Sequence, residues 1–171
     1  MNVNNSLRCI LKGRAMLVAG ALLGGMLASG IAAAHGIERA TDLHSLVQNG
    51  GGKPTVIMFA SESCPYCDRA EEHHLGPMSE DPRFEGVHIR KVTLDSDPVR
   101  DFGGESLQGR DLGRAYGVRV VPTIIAFDAE GQPVGRPLVG IPNAELYRSQ
   151  IRTRINAARR ESEVSGWARA D

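Results

Sequence analysis

The feature that most constrains this chain is a continuous apolar, partly β-branched run that leads straight into two closely spaced cysteines. Thr55 to Ala60 reads Thr-Val-Ile-Met-Phe-Ala and is followed, after Ser61-Glu62-Ser63, by Cys64-Pro65-Tyr66-Cys67. An unbroken apolar run of that length is the pattern of a central strand covered on both faces. Pro65 suits the first turn of a helix, where its missing N–H would have had no partner. The spacing therefore predicts a strand, a short turn and a helix opening at Cys64 and running to about His74, with Gly76-Pro77 breaking it. Cys67 is three residues beyond Cys64, almost one turn along the same side.

The start of the chain sets the context. Arg8, Lys12 and Arg14 are its only charges before residue 35, an apolar stretch runs from Ala15 to Leu27, and Ala32-Ala33-Ala34 follows. A basic start, a short apolar run and an Ala-x-Ala end make a secretory signal peptide, cleaved after Ala34. The alternative, an uncleaved membrane anchor, is weakened by Gly20, Gly24, Gly25, Ser29 and Gly30. Removing residues 1–34 takes away three basic residues and no acids, leaving 17 Lys and Arg against 20 Asp and Glu. A mildly acidic domain gives no electrostatic reason for binding nucleic acid or anionic lipid. Cys9 leaves with the segment, so Cys64 and Cys67 are the only cysteines of the exported part. A pair this close closes almost no loop and gains little stability from chain entropy, which points to chemistry rather than stapling.

The rest of the chain alternates. Glu38 to Asn49 is expected as a helix stopped by Gly50-Gly51-Gly52, and Val87 to Leu94 as a strand. Asp95 to Gly109 is loop-like, Arg110 to Tyr116 a short helix, and Thr123 to Asp128 a strand. Asp128-Ala129-Glu130-Gly131 turns the chain into a strand from Pro133 to Val139, which its prolines assign to a sheet edge. Asn143 is placed to cap a final helix with Tyr147, Ile151 and Ile155 on one stripe. The expected organisation is a signal peptide over 1–34, one domain over 35–160 and a frayed tail over 161–171, with no purpose visible for Trp167. Fold class is α/β: a central mixed sheet of about four strands flanked by helices on both faces.

Disulfide exchange needs a thiolate, a second thiol to resolve the mixed disulfide, and access for a partner. Cys64, at a helix start, has unpaired N–H groups and the helix dipole to favour charge on its sulfur. Cys67, more buried, is the resolving thiol, and Pro65 and Tyr66 offer an apolar platform. A zinc site would need a second cysteine pair, which the sequence lacks. His73 and His74 read as solvated histidines at a helix C-terminus, and Arg148, Arg152, Arg154, Arg159 and Arg160 as the wet face of a helix. The alternative chemistry for the pair is a metallochaperone, with Cu(I) held by both thiolates and a histidine.

Phe59 to Cys67, then Tyr116-Gly117-Val118-Arg119-Val120-Val121-Pro122-Thr123 and Asp128-Ala129-Glu130-Gly131, together resemble the thioredoxin superfamily over residues 38–158. Within it the likeness is to exported bacterial thioredoxin-like proteins, including the SoxW type associated with sulfur oxidation. That resemblance implies a thioredoxin fold, a cis Pro122 facing Cys64 and Cys67, and a Val121 backbone that pairs with an extended substrate peptide. It implies a periplasmic thiol-disulfide oxidoreductase working on protein thiols and disulfides in the reducing direction; no cofactor or metal is expected, and with no dimerisation segment evident in the sequence a monomer is the default. A membrane partner would supply or accept electrons; a disulfide-forming oxidant is the alternative direction. Four departures stand out. The dipeptide is that of glutaredoxins, yet their Gly-Gly glutathione site is missing. Met58 stands where thioredoxins carry a buried acid that aids proton transfer, and Glu62, expected to be exposed, is not given that role. Cys64 and Pro122 are 58 residues apart, more than in compact thioredoxins.

Overall fold

A computed structural model describes residues 36–96 and 98–168. The expected signal peptide lies outside the described residues, as do residues 169–171. The apolar run forms β2 (Thr55–Ala60), every residue of it buried. It lies at the centre of a five-stranded sheet of order β1-β3-β2-β6-β7, with β1 (Glu38–Arg39), β3 (His88–Thr93), β6 (Thr123–Phe127) and β7 (Pro133–Val139). β1 and β2 run parallel to β3, and β6 is antiparallel to both β2 and β7.

Side chains alternate across β2, so its two faces feed two cores. Val56, Met58 and Ala60 join Cys64, Cys67, Ala70, Leu75, Tyr147, Ile151 and Ile155 on one side. Ile57 and Phe59 join Leu43, Val92, Leu112, Ile125 and Phe127 on the other. The first side is covered by α2 (Pro65–Ala70), α3 (Gly76–Ser79) and α5 (Ala144–Ala168), the second by α1 (His44–Asn49) and α4 (Gly109–Ala115).

The structure departs from expectation in four places. The first helix is shorter than the expected span of 38–49, because Glu38–Arg39 adds a fifth strand beside β3. Ile37 and Ala40 are buried there, and Ala40 N–H donates to Lys91 O at 2.8 Å, so the edge of β3 outcompetes a local helix.

Gly76-Pro77 does not break the second helix. A single π-helical stretch, Glu71–Leu75, carries the chain from α2 into α3. Pro77 has no N–H to give to His73 O four residues back; Arg148 Nη2, from α5, donates to that carbonyl instead at 3.0 Å.

The expected loop 95–109 contains a two-stranded ribbon, β4 (Val99–Arg100) with β5 (Ser106–Leu107). It is held down by Val99, which is buried, and by Phe102, whose ring lies 4.8 Å from that of Phe127. Phe102 also fixes Gly131, where φ is +80° and an added Cβ would fall 2.5 Å from the ring.

The expected tail from 161 is helical through Ala168. Ser162, buried, donates from Oγ to Ala158 O at 2.8 Å and accepts Ala129 N–H at 2.9 Å, pinning the helix to the β6–β7 turn. At the other end of α5, Asn143 Oδ1 accepts the N–H groups of Glu145 and Leu146 at 3.0 and 3.1 Å.

Candidate functional site

The cysteines occupy the point where β2 hands over to α2. Cys64 keeps an extended backbone, φ −127° and ψ 93°, and Pro65 begins the helix. Cys64 O accepts the N–H groups of Cys67 and Asp68 at 2.9 and 3.1 Å, and its Sγ accepts the Cys67 N–H at 3.1 Å. The two sulfurs form a disulfide, with Cα atoms 5.2 Å apart. Cys64 is 7% exposed and Cys67 2%. The difference is small, but it gives Cys64 the outer position. The N–H directed at its sulfur is a fixed donor for a thiolate, added to the dipole of a helix continuous from 65 to 79.

Tyr66 lies beside the pair, 61% exposed, with the Arg69 guanidinium 5.5 Å from its ring centroid. The Val121–Pro122 peptide bond is cis. Phe59 pairs with Thr123 across the sheet, so Pro122 comes level with Ala60, at the end of β2 from which the cysteine turn departs. Val121 packs against the core cluster that contains both cysteines, and Pro122 O accepts the Gly140 N–H at 2.8 Å. Tyr66, Val120 and Val139 are exposed apolar side chains. Sequence reading named the first of these as part of the site; Val120 and Val139 were read only as members of their segments, because nothing local marks a valine as exposed.

A second feature of the site was not read from the sequence. A polar cleft of about 190 Å³ is lined by Cys67, Asp68, Glu71, Lys91, Glu62 and Arg39, among others. Glu71, buried, accepts the Ile37 N–H at 2.9 Å through Oε1 and the Lys91 ammonium at 2.5 Å through Oε2. Its spacing four residues after Cys67 was the available signal; Lys91 enters only through strand register, opposite Met58. Glu62 is exposed and contacts Arg39 at 3.4 Å.

The two histidines separate. His74 is not solvated: its ring lies edge-on to Tyr147 with centroids 4.9 Å apart. Its Nδ1 is buried without a hydrogen-bond partner. Among the described residues, no group of three or more His, Cys, Asp or Glu side chains is arranged to hold a metal ion. Burial pushes the His74 pKa below 6.5, and the charges of Arg148 and His73 push it the same way. A histidine whose folded pKa is depressed contributes stability that is present above its unfolded pKa and lost as pH falls through the folded one. Urea unfolding at pH 7 and pH 5 should therefore show a larger loss for the wild type than for His74→Gln; equal losses would contradict the assignment.

The thioredoxin-like domain family matches residues 46–154. The chain belongs to that family. Among solved structures it is similar to the short form of thioredoxin f from spinach chloroplast, at 21% identity over 72% of this chain and 96% of that one, with a TM-score of 0.50. It is similar also to a reduced thioredoxin pre-protein from Schistosoma mansoni, at 21% identity over 70% and 98%, with a TM-score of 0.50. These two likenesses carry the fold. Curated protein sequences gave no significant match. As a member of the family the chain is a thiol-disulfide oxidoreductase, with protein thiols and disulfides as its substrates.

Proposed function

We propose that this thioredoxin-like protein is an exported dithiol-disulfide exchanger of the kind the SoxW resemblance implies, working in the reducing direction. Cys64 is the exchanging sulfur and Cys67 the resolving one. The observation that carries this reading is the Cys64–Cys67 disulfide at a helix start, with a main-chain N–H on the outer sulfur.

The reaction balances as two sulfur exchanges. The Cys64 thiolate attacks a substrate disulfide, one substrate sulfur leaves with the bonding pair and takes a proton, and a mixed disulfide forms. Cys67 then attacks Cys64, the second substrate sulfur leaves, and the protein is left oxidised by two electrons. Tyr66 and Pro65 flank the exchanging sulfur, and the Val121 backbone pairs with the extended substrate segment beside Pro122, a strand-addition mode of binding. The basic, apolar, alanine-ending start of the chain supports export. An exported reductant would work in a compartment kept oxidising, so it needs a membrane electron donor.

Direction is tested by a redox titration in thiol buffers, with the state of Cys64 and Cys67 read by alkylation. A midpoint near about −270 mV is expected, as for a reductant; one near about −120 mV would make the protein an oxidant that forms disulfides. The absence of any reversible couple would sink the redox reading altogether.

A further inference from the structure

Resolution makes a demand that the helix start does not meet. Cys67 lies inside the first turn and is 2% exposed. A thiol is a poor nucleophile until it loses its proton, and a sulfur so buried cannot pass that proton straight to bulk water. Met58, the β2 residue that shares the core cluster of Cys67, offers no base. The acceptor must come from the polar cleft that Cys67 shares.

Glu71 fits. It follows Cys67 by four residues, which puts both on one side of the helix at neighbouring-turn distance. Its carboxylate is held from two sides, by the Ile37 N–H at 2.9 Å and by Lys91 Nζ. A carboxylate accepts at about four lone-pair positions, so these two bonds leave capacity for water. The cleft, about 190 Å³ and lined by charged groups, has room for it.

We propose that Glu71 is the general base for Cys67, acting through cleft water, and that Lys91 positions it; this rests on the assignment of Cys67 as the resolving thiol. In the step, the Cys67 S–H proton passes to the Glu71 carboxylate. The freed sulfur pair forms the bond to Cys64 Sγ, and the Cys64–substrate bond breaks with its pair on the substrate sulfur, which is then protonated. In the reverse direction Glu71 returns the proton as the Cys64–Cys67 bond opens. The basic groups around the cleft are Lys91 from β3 and Arg39 from β1. The acidic ones, besides Glu71, are Asp68 from α2 and Glu62 from the turn after β2.

The test is rapid-mixing of the reduced full chain with a defined peptide disulfide from pH 5 to 9, with acid quenching to trap the mixed disulfide. Glu71→Gln keeps an acceptor for the Ile37 N–H and removes the base. It should slow resolution about 10²-fold, flatten the pH dependence of that step and accumulate mixed disulfide, while alkylation of Cys64 stays at the wild-type rate. Glu71→Asp should restore part of the rate. Because Glu71→Gln leaves the Lys91 ammonium unpaired, Glu71→Gln/Lys91→Met is prepared beside it, so that a folded variant lacking the carboxylate is in hand. Resolution at the wild-type rate and with the wild-type pH profile in either folded variant overturns the proposal. Cys67→Ser separates the two readings. If it fails to trap a mixed disulfide, the assignment of Cys67 is at fault; if it traps one while Glu71→Gln resolves normally, Glu71 alone is.

Discussion

Cys64→Ser is expected to abolish disulfide exchange, bringing reduction of a protein disulfide down to the background of the assay thiol. Serine has nearly the shape of cysteine, so the helix start, with Pro65 as first residue and Cys64 O accepting from Cys67 and Asp68, should survive. What disappears is the sulfur itself. A hydroxyl under the same N–H remains protonated at neutral pH and cannot form a bond that a thiol will later exchange. The stability cost is expected to be small, because the disulfide closes a separation of three residues and restrains the unfolded chain little. Loss of activity without loss of fold, read by insulin reduction beside a urea transition, is therefore the predicted signature. His73→Ala and His74→Ala serve as controls and should leave exchange near wild type, since no described metal cluster includes them. Exchange that survived Cys64→Ser would sink the proposed function. Stoichiometric Cu(I) binding, lost in the histidine variants, would favour the metallochaperone alternative.

What could be read in the sequence follows from where the information is local. β2 was legible because a six-residue, partly β-branched apolar run ending at Ser61-Glu62-Ser63 has the length of a strand and is short for a helix; all six residues are buried. The site was legible because Pro65, after a strand and a short turn, suits the first turn of a helix opening beside Cys64, and because Val121-Pro122-Thr123 carries part of the thioredoxin resemblance. The missed features are those in which a distant partner overrides a local signal. Pro77 looked like a stop, but the chain runs through it by a π-helical stretch, and the Arg148 guanidinium, 71 residues later, donates to the His73 O that Pro77 leaves without its N–H. Glu38–Arg39 looked helical until the free edge of β3 was there to pair with it. Ser162 reads as a polar residue in a tail, yet it bridges α5 to Ala129. Glu71 is the same case inside the site: an acid on a helix is ordinarily solvated, and nothing local says that Ile37 and Lys91 will enclose it.

Phe127→Ala is expected to cost about 3–5 kcal/mol, the largest loss of stability among the substitutions considered. Phe127 is fully buried at the end of β6, on the face of the sheet away from the cysteines. Its ring meets two others, Phe102 at 4.8 Å and Tyr116 at 5.0 Å, the latter edge-on at 80°. Truncation removes the transfer free energy of the ring, leaves a cavity, and breaks two aromatic contacts worth about 0.5–1.5 kcal/mol each beyond burial. Against a total stability of about 5–15 kcal/mol for a domain of this kind, the variant sits close to its unfolding threshold. Urea titration should show a lower midpoint at an unchanged slope, since the surface exposed on unfolding is nearly the same. A second readout tests the role of the 95–109 segment. Phe102 is, with Val99, one of the side chains through which the β4–β5 ribbon reaches the sheet, and Phe127 forms part of its seat. The variant should therefore be cut within 95–109 by a low concentration of protease under conditions where the wild type is not, before the domain as a whole unfolds. Cleavage there, with the midpoint potential of Cys64 and Cys67 unchanged, would mean that the two faces of the sheet are energetically separable, one carrying the redox pair and the other anchoring the ribbon. A shifted potential would mean that packing on the far face reaches the disulfide through β2.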